Sequence, residues 1–344
     1  MKKELLLTLS ILVLALCFSA CNEEPPQEEV PTLALSTFQA PAPFDCNTET
    51  LFYHDIAYGD FERNRFDLFA PVTDHKTPLV IYIHGGGFAK GDKEELYDEP
   101  LFQTLINQIL DKKIAVATFN YRFIEAGDGQ GVLKSLNDCK RGLQFTKYFA
   151  EEMHIDKERI ILMGASAGAG TGLWLGLSDN MALSEDNDPI LRESTRVLGI
   201  VGIETQASYD ILSWPQSVFG VYEEQGMSLD TLLQTTGEET LLVFYGVSNI
   251  EELYTEELQA TRARLDMLSL LSEDDPEIYL ASIVTPNTFP SNKDEILHHP
   301  LHAKAILDKA TTNHVACKAF IPLMGINNTD NETPVDFIIR IAER

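Results

Sequence analysis

Two glycine-framed stretches hold the residues of this sequence that could do covalent chemistry: His84-Gly85-Gly86-Gly87-Phe88 and Gly164-Ala165-Ser166-Ala167-Gly168. A serine hydroxyl is a weak nucleophile. It needs a base within hydrogen-bond reach, and donors placed where negative charge develops on an attacked carbonyl oxygen. Ser166 lies between a strand-like run, Arg159 to Gly164, and a run of small residues, Ala167 to Leu177. Its flanking glycines permit a cramped strand-turn-helix that projects the hydroxyl. The Ala167 N–H at the helix start and the unobstructed N–H groups of Gly86 and Gly87 are the expected oxyanion donors. His84 is expected to fix the glycine loop by hydrogen bonding rather than to serve as base.

Strands alternating with helices must position these stretches, the pattern of a mostly parallel sheet covered on both faces. Leu51 to Ala57 and Phe66 to Phe69 read as an antiparallel hairpin, followed by strands at Pro78–His84, Ile114–Asn120, Arg159–Gly164 and Val197–Glu204. Helices are expected near Glu95–Leu110 and over Leu133–Glu152. Residues 205–275 are too long for an ordinary connection and carry Trp214, Phe219, Tyr222, Tyr245 and Tyr254. They read as a mainly helical insertion whose best helix is Thr255–Leu271, and which could roof a pocket. Strands Glu277–Ile283 and Ala316–Leu323 and helices Leu301–Thr311 and Val335–Ala342 complete the pattern.

With these parts in place the chain resembles the α/β-hydrolases of the esterase and lipase type whose oxyanion loop begins His-Gly-Gly-Gly. Further similarity lies in Gly91-Asp92, Asn120-Tyr121-Arg122, Asp138 and the run Ile155-Asp156-Lys157-Glu158-Arg159-Ile160, over about residues 50–340. The resemblance implies an eight-stranded sheet with the insertion after the sixth strand, no metal or other cofactor, and cleavage of carboxylic esters through an acyl-serine intermediate. It also implies a chain order of serine, acid, histidine, with the histidine after the last strand.

That last position is empty: no histidine follows His314, and asparagine there cannot accept the proton. His314 precedes the last strand and is expected at the opposite edge of the sheet. The base is therefore expected one connection earlier, in His298-His299-Pro300-Leu301-His302, with His298 the choice and His299 and His302 the alternatives. Glu204 or Asp294 would be its acid. A second reading is a hydrolase fold that has lost its base and binds rather than cleaves. Amide or peptide hydrolysis on the same fold is a third.

Lys2 and Lys3, the apolar run Leu5–Phe18 and Ser19-Ala20-Cys21 read as a lipoprotein signal over residues 1–20, with Cys21 the lipidated residue. A plain secretory signal is the alternative. Residues 21–45, opening with an acidic, proline-containing stretch, read as a disordered tether, and 46–344 as the hydrolase domain. The small residues before Cys21 resemble a bacterial lipobox and the acidic stretch after it resembles the export signal of surface lipoproteins, which implies a bacterial cell envelope location, lipid-anchored at the outer membrane or cell surface. The net charge of −27 argues against nucleic acid as a partner. Cys46, Cys139 and Cys317 give neither a disulfide framework nor a metal signature. The expected substrate is a small-molecule or carbohydrate ester, with acetyl or feruloyl groups as candidates.

Overall fold

A computed structural model describes residues 31–344, of which Leu33–Arg344 form one compact unit. Cys21, the signal and the first part of the expected tether lie outside the described residues. Ten strands build one sheet: β1 (Gln39–Ala40), β2 (Thr50–Ala57), β3 (Arg65–Pro71), β4 (Thr77–Ile83), β5 (Ala115–Phe119), β6 (Ile155–Ala165), β7 (Gly199–Ile203), β8 (Glu277–Ala281), β9 (Cys317–Ile321) and β10 (Ile326–Asn327). Their order is β1-β2-β3-β5-β4-β6-β7-β8-β9-β10. The six strands from β5 to β9 are parallel, and the edges are antiparallel. The eight expected strands are β2 to β9, and a two-residue strand is added at each edge. β1 falls inside the stretch expected to be tether, because Gln39 and Ala40 pair with Tyr53 and Phe52.

Every residue of β4 and β5 is buried, which requires cover on both faces. Alternate residues of β4 serve the two faces. Val80 and Tyr82 pack with Ile106, Ile109 and Leu110 of helix Pro100–Asp111 and with Phe337, Ile338 and Ile341 of helix Pro334–Ala342. Leu79, Ile81 and Ile83 face the other core, with Leu136 and Leu143 of helix Val132–Tyr148 and Leu173 of helix Ala167–Leu177.

The expected insertion runs between β7 and β8 and is mainly helical, with Leu229–Thr236, Glu238–Tyr245 and Glu256–Leu265 its longest helices. Its helix expected over Thr255–Leu271 is broken at Asp266, whose carboxylate accepts from the Ser208 hydroxyl at 2.8 Å. The helix expected near Glu95–Leu110 is likewise two pieces, since Glu99 is extended before Pro100. No helix among the described residues is long and apolar enough to cross a membrane.

Candidate active site

Ser166 stands between β6 and helix Ala167–Leu177 with φ 52 and ψ −120, a conformation costly for any side chain. Its N–H donates to Ile203 O at 2.9 Å, which ties the elbow to the end of β7. The flanking glycines are required by space rather than by φ. A Cβ on Gly168 would overlap the carbonyl oxygens of Ile83 and His84, and one on Gly164 would overlap the Gly168 backbone. The elbow therefore brings helix, β6 and the end of β4 to backbone contact.

The glycine loop passes directly over this elbow. A Cβ on Gly85 would lie 2.9 Å from Ala165 O and 3.4 Å from Ser166 Cβ. Gly86 (φ 95), Gly87 (φ 62) and Phe88 (φ 62) then turn through the left-handed region, and Gly87 borders the same cavity as Ser166 and Ala167. The Ala167 N–H, first of its helix, has no intrahelical acceptor.

His84 is fully buried and stacks on Tyr121 with ring centroids 4.4 Å apart. Its Nδ1 donates to Gly85 O at 2.8 Å, and its Nε2 accepts from Arg63 Nη2 at 3.4 Å. Burial pulls its pKa down to about 4, so the ring is a neutral scaffold. The Tyr121 hydroxyl lies 3.0 Å from both His84 O and Gly85 O, and Arg63 Nη2 donates to Gly91 O and Asn120 Oδ1, each at 2.9 Å. Asn120 Nδ2 donates to Asp92 at 3.0 Å, and Asp138 accepts from Arg122 Nη2 at 2.6 Å. These motif residues brace the loop from behind.

His298 and Asp294 come from one short segment after β8. Ser166 Oγ and His298 Nε2 are 2.8 Å apart, and His298 Nδ1 and Asp294 Oδ1 are 3.0 Å apart. A carboxylate only accepts, so Nδ1 carries the proton and Nε2 is left to accept from the serine. The helix Lys293–Leu297, capped by Asn292, sets Asp294 and His298 one turn apart. Glu204 is not brought to His298. At the end of β7 it adopts φ 50, and its carboxylate accepts from the N–H groups of Ile283 (2.6 Å) and Val284 (3.1 Å) and from Ser282 Oγ (3.3 Å).

The two neighbouring histidines are occupied elsewhere. His299 donates through Nε2 to Thr288 O at 2.9 Å and caps helix Pro300–Thr312 through Leu301 N. His302, fully buried, donates through Nε2 to Ile296 O at 2.9 Å and accepts from Ala207 N at 3.1 Å. Burial lowers the His299 pKa and takes that of His302 down to about 3. His314 precedes β9, at the end of the sheet opposite Ser166.

A cavity of about 110 Å³ adjoins Ser166 and Gly87, walled by Phe88, Tyr209, Trp214, Leu241 and Phe244 among others. Most of this wall is insertion, as its aromatic content suggested. Trp214 takes part, but Tyr254 is half exposed and Tyr245 is buried, its hydroxyl bonded to Ile211 N and Tyr209 O. Tyr209, Phe244 and the buried Gln206 carry no local sequence signal for this role. Away from the site, His54, Asp55 and Asp67 form a cluster of metal-type donors. The buried Lys93 ammonium already sits there, 2.9 Å from Asp67 and 3.1 Å from Asp55.

The sequence profile of the BD-FAE family matches residues 66–296, a span with Ser166, the glycine loop and Asp294 that ends two residues before His298. A probable isoprenylcysteine alpha-carbonyl methylesterase of Arabidopsis thaliana is 28% identical over 192 residues, covering 55% of this chain and 37% of that protein. The quorum-quenching protein AidA of Acinetobacter baumannii (strain MDR-ZJ06) is 27% identical over 117 residues, 33% of this chain and 35% of that protein. The chain thus spans little more than a third of the length of either relative. Among solved structures, a truncated form of a carbohydrate esterase from gut microbiota superposes with a TM-score of 0.62 at 13% identity, covering 88% of this chain and 99% of that one. A bacterial heroin esterase does so with 0.54 at 15% identity, covering 88% and 87%. At these identities the likeness is one of fold. With two thirds of its length matched by one family profile, the chain belongs to the BD-FAE family and has the α/β-hydrolase fold.

Proposed function

We propose that the protein is a serine esterase with Ser166 as nucleophile, His298 as base and Asp294 as the acid that orients it. The observation that carries this reading is the chain of contacts from Ser166 Oγ to His298 Nε2 at 2.8 Å and from His298 Nδ1 to Asp294 at 3.0 Å. The serine attacks an ester carbonyl while His298 takes its proton, and the N–H groups of Gly86, Gly87 and Ala167 hold the oxyanion. Collapse of the intermediate expels the alcohol, protonated by His298. Water activated by the same base then releases the acid and restores the serine. The esterase names among the relatives and fold neighbours support ester cleavage, and the carbohydrate esterase among them supports esters of carbohydrates as the substrate class. A base-free binding protein is disfavoured by the His298 contact.

Hydrolysis of a short activated ester by the wild type and by Ser166→Ala tests the reading. Turnover that survives Ser166→Ala, or a wild type that neither turns over nor takes a fluorophosphonate label, would sink it. Anchoring through Cys21 remains part of the proposal, and Cys21→Ser is expected to abolish incorporation of a lipid precursor.

A further inference from the structure

The cavity of about 110 Å³ is bounded on one side by Ser166, by Ala167 and by Gly87 of the glycine loop. His298 is not among the described residues that line it. Phe88, Tyr209, Trp214, Leu241 and Phe244, all buried, form its apolar wall. Three of these rings hold one another, with centroids 5.5 Å apart for Phe88 and Tyr209, 6.1 Å for Phe88 and Phe244, and 5.7 Å for Tyr209 and Phe244. The polar groups of the lining are engaged within the protein. The Tyr209 hydroxyl donates to Ala167 O at 2.7 Å, Trp214 Nε1 to Ser208 O at 3.0 Å and Gln206 Nε2 to Leu297 O at 2.8 Å. Lys293 and Thr240, both exposed, bond to each other at 3.2 Å where the cavity meets solvent.

Resting on the esterase reading, we propose that this cavity receives the acyl group of the ester, and that Leu241 and Phe244 are specificity-determining residues that restrict it to short aliphatic acyl groups and exclude aromatic ones such as feruloyl. The side follows from the chemistry. The alcohol departs with the proton carried by His298, whereas the acyl carbon stays on Ser166 Oγ with its oxygen toward Gly87 and Ala167, which border the cavity. The size follows from the volume. An apolar cavity of about 150 Å³ holds one benzene, so 110 Å³ takes about four carbons at the same density. A feruloyl group carries a substituted benzene ring beyond its vinyl linker, more than this space holds, and its ring oxygens would meet a wall of ring faces and leucine. A longer aliphatic chain has to leave the apolar wall and pass the Lys293 ammonium at the mouth.

The experiment measures kcat/KM on p-nitrophenyl acetate, butyrate, hexanoate and ferulate, which share one alcohol, for the wild type, Leu241→Ala, Leu241→Phe and Phe244→Leu. In the wild type, hexanoate and ferulate are expected to fall about tenfold or more below the better of acetate and butyrate, since each methylene that an apolar pocket gains or loses is worth about 10- to 200-fold. Leu241→Ala should raise the hexanoate-to-acetate ratio about tenfold or more, Phe244→Leu should raise it less, and Leu241→Phe should lower the butyrate-to-acetate ratio. A ratio taken within one preparation does not depend on how much of the variant has folded. Wild-type ferulate cleavage at or above the butyrate rate, or ratios that none of the three variants moves, overturns the assignment. So does a shift that appears only along methyl, butyl and hexyl acetate, which would place the alcohol in the cavity. Fluorophosphonate labelling of the wild type separates the two failures: without labelling or turnover the esterase reading falls and the acyl assignment with it, whereas labelling with unmoved ratios removes the acyl assignment alone.

Discussion

The two sides of the proposed site, the nucleophile side around Ser166 and the base side around His298, are built by different means. Ser166 and the glycine loop are fixed by backbone against backbone: Gly85 over Ala165, Gly168 under Ile83, Ser166 N–H on Ile203 O. No side-chain rotation can loosen such contacts. His298 is instead held through side chains: Gln206, about 90 residues away in sequence, donates to Leu297 O, and His302 bridges Ala207 N and Ile296 O. The first arrangement tolerates no added atom. The second can be redrawn one hydrogen bond at a time.

The largest effect should come from adding one methyl group on the nucleophile side. Gly168→Ala places a Cβ against the Ile83 and His84 carbonyl oxygens, and neither backbone can retreat without disturbing β4, so a loss above about 4 kcal/mol is expected. Gly172→Ala, one turn further along the same helix, meets nothing closer than Leu162 Cβ at 3.6 Å and should gain up to about 1 kcal/mol. Thermal unfolding of the two variants checks the contrast. Equal stability would show that the elbow is not fixed by backbone contact.

On the base side, His298→Ala should leave unfolding within about 0.5 kcal/mol of wild type, since the ring is partly exposed and supports no other element. Its kcat should fall about 1,000-fold or more. A change of less than tenfold would return the choice of base to His299 and His302. Next in size is the acid. Asp294 is 77% exposed, and water can screen or replace it, so Asp294→Asn should cost about 10- to 100-fold rather than the loss seen for a buried acid. Glu204→Gln should alter kcat by no more than about threefold, because that carboxylate serves the Ile283 and Val284 N–H groups. The reverse ranking in steady-state kinetics would make Glu204 the acid.

The same contrast explains what the sequence could and could not say. Glycine framing is local, so the elbow, the glycine loop and the strands that carry them are legible at short range. A candidate for the base was legible too, because the absence of histidine after β9 left three histidines on one rim. His298 was chosen among the three, but the physical ground for that choice was not legible: all precede or open one helix, and only tertiary partners show His299 as a cap and His302 as a buried strut. The four-residue spacing of Asp294 and His298 was the available signal for the acid. Glu204 competed because it ends a neighbouring strand, and nothing local reveals that φ 50 turns its carboxylate toward the β8 loop.

The pH dependence of stability sharpens the comparison by showing what the two sides share. Each has one fully buried neutral histidine whose nitrogens are both engaged, His84 behind the glycine loop and His302 behind the base. Burial places their folded pKa values at about 4 and about 3, whereas in the unfolded chain each titrates near 6.5. Above pH 6.5 both states are neutral and neither ring makes stability depend on pH. As pH falls below that value the unfolded chain takes up the proton first, so each ring withdraws stability by up to about 1.4 kcal/mol per pH unit until its folded pKa is reached. Carboxylates titrate in the same range, so the informative quantity is the difference between variants. Unfolding followed from pH 7 to pH 4.5 should decline less steeply in His84→Gln and in His302→Gln than in wild type. If His298 hangs on the strut, kcat should also drop in His302→Gln at pH 7, where no ring is charged. A pH dependence of unfolding that neither variant alters would mean that both rings reach water before the chain unfolds, and the base side would then lack the dry support that the Ile296 and Ala207 contacts describe.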